Sequence, residues 1–255
     1  MGGVTPSVTV LRADNPGPMT LDGTRSVVLR APGSPSCVVV DPGPDDDTHL
    51  RALAAAGPVD LVLVTHRHAD HTAGSPRLRE LTGAPVRAAD PEHCHGGEPL
   101  RDGEVIEAAG VRIEVVATPG HTGDSVSFRV DGPGEAPVVL TGDTVLGRGT
   151  TVIAEPDGSL ADYLHSLDVL ERLGAGRLAV PAHGPAIEDL GAAVQAYRSH
   201  RLERLAQVRA VLAALGPEAT VDDVVAHVYA DVDAAVLPAA RQSVAAQLAY
   251  LRAER

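Results

Sequence analysis

Thr65-His66-Arg67-His68-Ala69-Asp70-His71 sets four metal-capable side chains within six residues, directly after the apolar run Leu61-Val62-Leu63-Val64. That run predicts a buried strand over Leu61–Thr65, so the four donors leave a strand end on a loop. His66 and His68 stand two apart, and extended backbone turns both toward one side. Asp70 and His71 then reach a neighbouring position. Imidazole and carboxylate are the ligands zinc takes when no thiolate is offered, and manganese or iron accept them as well.

Three lone candidates lie at later strand ends. His121 sits in Thr-Pro-Gly-His-Thr (118–122) after a predicted strand Val111–Ala117. Asp143 sits in Thr-Gly-Asp-Thr (141–144) after Val138–Thr141, and His183 in Pro-Ala-His-Gly (181–184) within and after Leu178–Ala182. Each adjoins a glycine, which lets the backbone come close to a ligand. Loops at strand ends are where layered folds carry function.

Further strands are predicted at Ser7–Leu11, Ser26–Arg30, Cys37–Asp41 and Val126–Val130, with helices at Asp46–Ala56, Ala73–Leu81 and Leu160–Leu173. Strands interleaved with helices predict an α/β protein, two sheets each covered by helices in an αββα sandwich. From about Asp189 strand signals give way to Ala/Leu/Arg helical patterns. Thr220 followed by Asp222 and Asp223 reads as a capped helix start. Residues 198–255 carry seven Arg and seven acids, so the entire formal charge of −13 falls on residues 1–197. Two domains are therefore expected, 1–197 and a helical appendage over 198–255.

Composition narrows the chemistry. All 21 basic residues are Arg, which excludes a lysine nucleophile, a Schiff base and a P-loop lysine. Four Tyr, one Phe and no Trp leave no aromatic platform for stacking bases, and the acidic balance repels polyanions. Cys37 and Cys94 have no paired spacing. The opening residues hold no basic-then-apolar signal, and no stretch reaches the roughly 18 apolar residues of a membrane helix. The expected setting is a soluble, cytoplasmic one without membrane partners.

His66-x-His68-x-Asp70-His71 followed by His121, Asp143 and His183 resembles the metallo-β-lactamase superfamily of binuclear hydrolases. The likeness runs through most of residues 7–190. It implies one metal site on His66, His68 and His121, a second on Asp70, His71 and His183, and Asp143 bridging both. It narrows at Asn15–Thr24, at Gly147–Thr150 and in the C-terminal helices, which are similar to the branch carrying an appended winged-helix domain. That branch includes an endoribonuclease acting on single-stranded RNA. Arg25 stands where the pattern has Asn, and the chain stops at Leu251–Arg255, so the expected wing is truncated.

The resemblance implies two divalent ions, zinc foremost with manganese or iron as alternatives, and a metal-bridging hydroxide as nucleophile. Asp70 and Asp143 are the expected catalytic carboxylates, either orienting that hydroxide or accepting its proton. An ester or thioester of a small metabolite is the favoured substrate; single-stranded RNA is the alternative, and a non-catalytic metal-binding scaffold comes third. A true β-lactamase is not expected, because those branches lack the bridging Asp143. Weaker substrate-contact candidates are Tyr163, Gly147 and Thr150, with core packing an equal reading of Tyr163. Arg198, Arg201, Arg204 and Arg209 read as a solvated, acid-paired helix face. Apolar positions on Val208–Leu215 and Val244–Leu251 suit either a homodimer seam or the appendage's own core.

Overall fold

The computed structural model describes residues 2–230 and 237–254. Six strands form the first sheet in sequence order: β1 (Gly2–Thr5), β2 (Val8–Arg12), β3 (Arg25–Leu29), β4 (Cys37–Val40), β5 (Val59–Leu63) and β6 (Val86–Arg87). The first four run antiparallel, and β4, β5 and β6 run parallel. The second sheet has the order β11-β10-β9-β8-β7, built from β7 (Val105–Ala108), β8 (Val111–Ala117), β9 (Val126–Asp131), β10 (Val138–Gly142) and β11 (Ala179–Pro181).

Strict alternation explains the layering. In β4, Val38 and Val40 face the second sheet, while Cys37 and Val39 face outward onto helices α1 (Asp47–Ala54) and α3 (Ser75–Thr82). In β10, Val138 and Leu140 enter the intersheet core and Val139 packs outward under α4 (Leu160–Gly174). β4 and β10 are thus buried on both faces, which is why they read as nearly unbroken apolar runs, whereas β8 alternates Val111 and Ile113 with the outward Arg112 and Glu114. Phe128, the only Phe, lies fully buried between the sheets. The arrangement is the expected αββα sandwich.

Local chemistry sets the helix bounds. Asp46, Ser159 and Asp189 accept backbone N–H bonds as N-caps of α1, α4 and α5 (Leu190–Leu215). The helix expected over Ala73–Leu81 is α3, which starts two residues later, and the short helix α2 (Ala69–Thr72) precedes it across Ala73-Gly74. A Cβ on Gly74 would meet Leu50 at 2.6 Å and the Pro44 carbonyl at 3.0 Å, so the chain passes there only as glycine. The short strands β1, β6 and β7 lack a distinct run of apolar residues and escape the sequence reading.

Helix α5 runs unbroken across residues 197 and 198. Its first half pairs with α4 through Gln195–Glu171 and Arg198–Asp168, and its second half with α7 (Leu237–Ala253) through Arg209–Glu254. The change in composition therefore marks a change of neighbours along one helix. Helix α6 (Val221–Val228) begins with a reciprocal capping box between Thr220 and Asp223. One apolar cluster joins α4, α5, α6 and α7, including Tyr163, Leu205, Val224 and Leu248. Among the described residues no strand follows α5; residues 231–236 and 255, on which part of the wing expectation falls, lie outside them.

Candidate metal centre

Strands β8, β10 and β11 point the same way, as do β4 and β5, so five strand ends open on one edge of the sandwich. The two sheets meet there, where the Val126 amide donates to the Thr65 carbonyl at 2.8 Å. His66 to His71 follow β5, His121 follows β8, Asp143 follows β10 and His183 follows β11. All seven side chains predicted as ligands converge at this edge.

They do so in two overlapping groups. Nδ1 of His68 lies 3.0 Å from Nε2 of His66 and 3.0 Å from Nε2 of His121. Donors 2.0–2.1 Å from a tetrahedral ion are spaced by about 3.3 Å, so these three nitrogens suit one cation. Oδ2 of Asp70 lies 3.2 Å from Nε2 of both His71 and His183, which defines the second group. Asp143 stands between them: Oδ1 is 3.3 Å from His183 Nε2 and Oδ2 is 3.6 Å from His121 Nε2. Arg67 turns away, pairing with Asp124 at 3.1 Å and Asp157 at 2.9 Å, which anchors the loop between the two facing imidazoles.

Chemistry and burial both fit metal. His71 Nε2 and Asp143 Oδ1 are buried without a hydrogen-bond partner, an arrangement costly unless a cation is shared. Burial, reinforced by His71, His121 and His68, drives the His66 pKa well below its usual value, leaving the neutral imidazole that ligation needs. For Asp70, burial acts to raise the pKa. The His183 and His71 imidazoles beside it outweigh burial and hold the carboxyl well below the usual range. Burial works against protonation of His183 too, yet its bonds to Asp143 and Asp70 lift its pKa to about 9.

Outer contacts orient these ligands, and most escape the sequence reading. Asp41 accepts from His71 Nδ1 at 2.9 Å and from the amide and hydroxyl of Thr65 at 2.7 and 2.8 Å. A carboxylate behind a ligating imidazole fixes its tautomer. The available signal was an acid closing the all-apolar strand β4, at φ 52° before Pro42-Gly43. His121 Nδ1 donates to the Val152 carbonyl at 2.8 Å. Thr24 donates to Asp70 Oδ2 at 3.0 Å and is itself held by Asn15, which gives the Asn15–Thr24 segment its purpose. Arg25, the departure from the family pattern, pairs with Asp22 at 3.2 Å.

The weaker contact candidates land differently. Tyr163 is fully buried and donates its hydroxyl to the Thr144 carbonyl at 2.7 Å, so packing rather than the cleft claims it. Tyr197 bonds both backbone groups of Leu146, and the two tyrosines pin the loop after Asp143. Gly147 faces Pro185, whose carbonyl would lie 2.0 Å from a Cβ there; its glycine is needed for close approach to the His183 loop. Thr150 is exposed beside the C-terminal helices. The Arg face divides: Arg198 and Arg209 pair with acids, but Arg201 is buried and Arg204 has no acidic partner among the described residues. Arg201 points inward because its helix face packs onto the loop at Thr151.

Comparison with known proteins bears on this geometry. The sequence profile of the metallo-β-lactamase superfamily matches residues 19–183, the stretch that holds every ligand. The chain belongs to the metallo-β-lactamase superfamily. Residues 220–255 match the β-lactamase-associated winged helix domain. A "Beta-lactamase-like protein 2 homolog" of Caenorhabditis elegans is 32% identical over 251 residues, 93% of this chain and 81% of that protein. An "Atrochrysone carboxyl ACP thioesterase" of Aspergillus chevalieri is 33% identical, over 82% of this chain and 67% of its own length. A metallo-β-lactamase family protein of Thermus thermophilus superposes with a TM-score of 0.79 at 24% identity, covering 99% of this chain and 95% of that one. The shared fold therefore extends through the C-terminal helices. As a member of the superfamily the protein is a metal-dependent hydrolase, with a His/Asp cluster for divalent metal. No described helix is long and apolar enough to cross a membrane.

Proposed function

We propose that this protein is a binuclear hydrolase of small-molecule esters or thioesters. The observation that carries the binuclear reading is the position of Asp143, one carboxylate oxygen toward His183 and the other toward His121. His66, His68 and His121 would hold one ion and Asp70, His71 and His183 the other, with zinc best suited to the set and manganese or iron served by the same donors. Bound there, divalent cations supply Lewis-acid polarisation of the scissile group and lower the pKa of water.

The chain's own groups supply the rest. Asp70 is kept ionised and steered by Thr24, so its free lone pairs can orient a water at the cluster edge. Asp143 is likewise held as carboxylate, against the pull of burial, by His71 and His183. Either carboxylate can take up the water's proton, and no side-chain nucleophile is required. The thioester preference draws on the thioesterase name of a relative and on charge: the full −13 carried by residues 1–197 disfavours the phosphate contacts that drive RNA affinity.

The test is zinc-loaded protein assayed against a panel of acyl thioesters and against single-stranded RNA. Thioester cleavage lost in Asp143→Ala supports the reading; RNA cleavage lost in the same variant replaces it with the ribonuclease.

A further inference from the structure

Two arginines without acidic partners among the described residues line a cavity of about 260 Å³ between the loop after Asp143 and the C-terminal helices. Its walls include Thr150, His200, Arg201, Arg204, Ser243 and Gln247. In a chain with 34 acids to 21 Arg, neither Arg201 nor Arg204 makes an ion pair among the described residues. Arg204 donates to Gln207 and lies over the Tyr229 ring, 4.9 Å from its centre. Arg201 is only 4% exposed, donates to the Thr151 carbonyl and lies over Tyr163, yet its Nε has no partner. Gln247, 2% exposed, leaves its Oε1 equally unpartnered, and a half-turn of the amide offers its NH₂ instead.

A buried guanidinium next to a second one and short of acceptors is costly unless an anion joins them. The planar donor fork of Arg matches carboxylate and phosphate oxygens. Burial, followed by the fields of Arg201 and Arg204, lowers the His200 pKa, so the imidazole adds a hydrogen bond without a third charge. The wall shared with the metal centre is short. Thr151 donates to the Asp143 carbonyl at 2.6 Å and Val152 accepts from His121, and both residues line the cavity.

We propose that Arg201 and Arg204, with His200, Ser243 and Gln247, form an oxyanion subsite that holds a single phosphate or carboxylate group of the substrate beside the metal centre. A pocket of this size admits one such group rather than a phosphodiester track. Its use by substrate rests on the ester and thioester reading above, whereas its affinity for an oxyanion does not.

Inorganic phosphate and acetate are titrated by calorimetry into the metal-loaded wild type, Arg204→Gln and Arg201→Lys, with melting curves confirming that each is folded. Phosphate affinity should fall about tenfold or more in both variants, the cost of losing a charge-assisted contact. Equal affinity in all three proteins would place phosphate on the metals and overturn the subsite. KM is then measured for an acyl-coenzyme A (phosphate), a dicarboxylic monothioester of N-acetylcysteamine (carboxylate) and its neutral acyl counterpart. For Arg204→Gln, KM should rise about tenfold for whichever anionic substrate uses the pocket, relative to the neutral one, with kcat much less affected. A rise common to all three, or to none, would overturn substrate use. If the wild type cleaves no thioester, the thioesterase reading fails while the phosphate titration still decides the subsite.

Discussion

Asp41 accepts the Nδ1 hydrogen of His71 at 2.9 Å and, through the same carboxylate, both polar hydrogens of Thr65. One side chain at the end of β4 thereby sets the tautomer of a ligand and the exit of the ligand-bearing loop from β5. Asp41→Asn keeps the size of the side chain but replaces an acceptor with a donor. Metal affinity should fall by about 10–100-fold, as for other outer-shell partners of ligating histidines. Competition with a chromogenic chelator measures it, and an unchanged affinity would refute the role.

Metal uptake should release protons. Burial opposes protonation of both His71 and His183, but Asp41 and Asp143 hold His71 well above its usual value, and Asp143 and Asp70 hold His183 at about 9. These shifts favour an added proton on His71 and His183 before metal binds, while burial lowers His66 and His68 toward the neutral form. Binding through Nε2 must displace such protons. Calorimetry in buffers of different ionisation enthalpy should find net proton release, with apparent affinity rising with pH.

Acid should also weaken the fold through a group outside the metal cluster. His49 is buried against Ser26, 2.8 Å from its hydroxyl, and burial lowers its pKa, with Asp46 only partly opposing. The unfolded chain therefore binds this proton more readily than the folded one. The stabilisation is complete above the ordinary value of 6.5 and is lost as pH falls below it. In metal-free protein, His49→Gln should flatten the decline of the melting temperature between pH 7 and 5 relative to wild type.

Gly120→Ala should damage the site from beneath. A Cβ there would lie 2.4 Å from the Tyr163 backbone, and φ is +131°, a region side chains avoid. The turn carrying His121 must shift, at a cost of roughly 1–3 kcal/mol. Chemical denaturation should show the loss, with a matching fall in metal stoichiometry. Phe128→Ala offers a contrast: emptying the intersheet core should cost about 3–5 kcal/mol while metal stoichiometry of the folded fraction holds.

The donors and most of the layering were legible in the sequence because they depend on local pattern. Four ligand-type residues packed into 66–71, lone His and Asp beside glycines at strand ends, and alternating Val runs need no knowledge of distant partners. Asp41 gave only a bare signal, an acid closing an apolar strand, whose use shows once His71 folds back against it. Tyr163, read as either cleft or core, was settled by the Thr144 carbonyl beneath its hydroxyl. The arginines of α5 share a helix face in sequence, but the loop from Thr150 to Val152 buries Arg201 and leaves Arg198 to the acids of α4 and Arg209 to Glu254, just after α7. Sequence alone determined which side chains this protein offers to metal and the two periodicities that build its sheets and helices. Only the tertiary structure decided which donors are neighbours, what stands behind them and which arginines meet an acid among the described residues, because those properties come from segments far apart in the chain meeting in space.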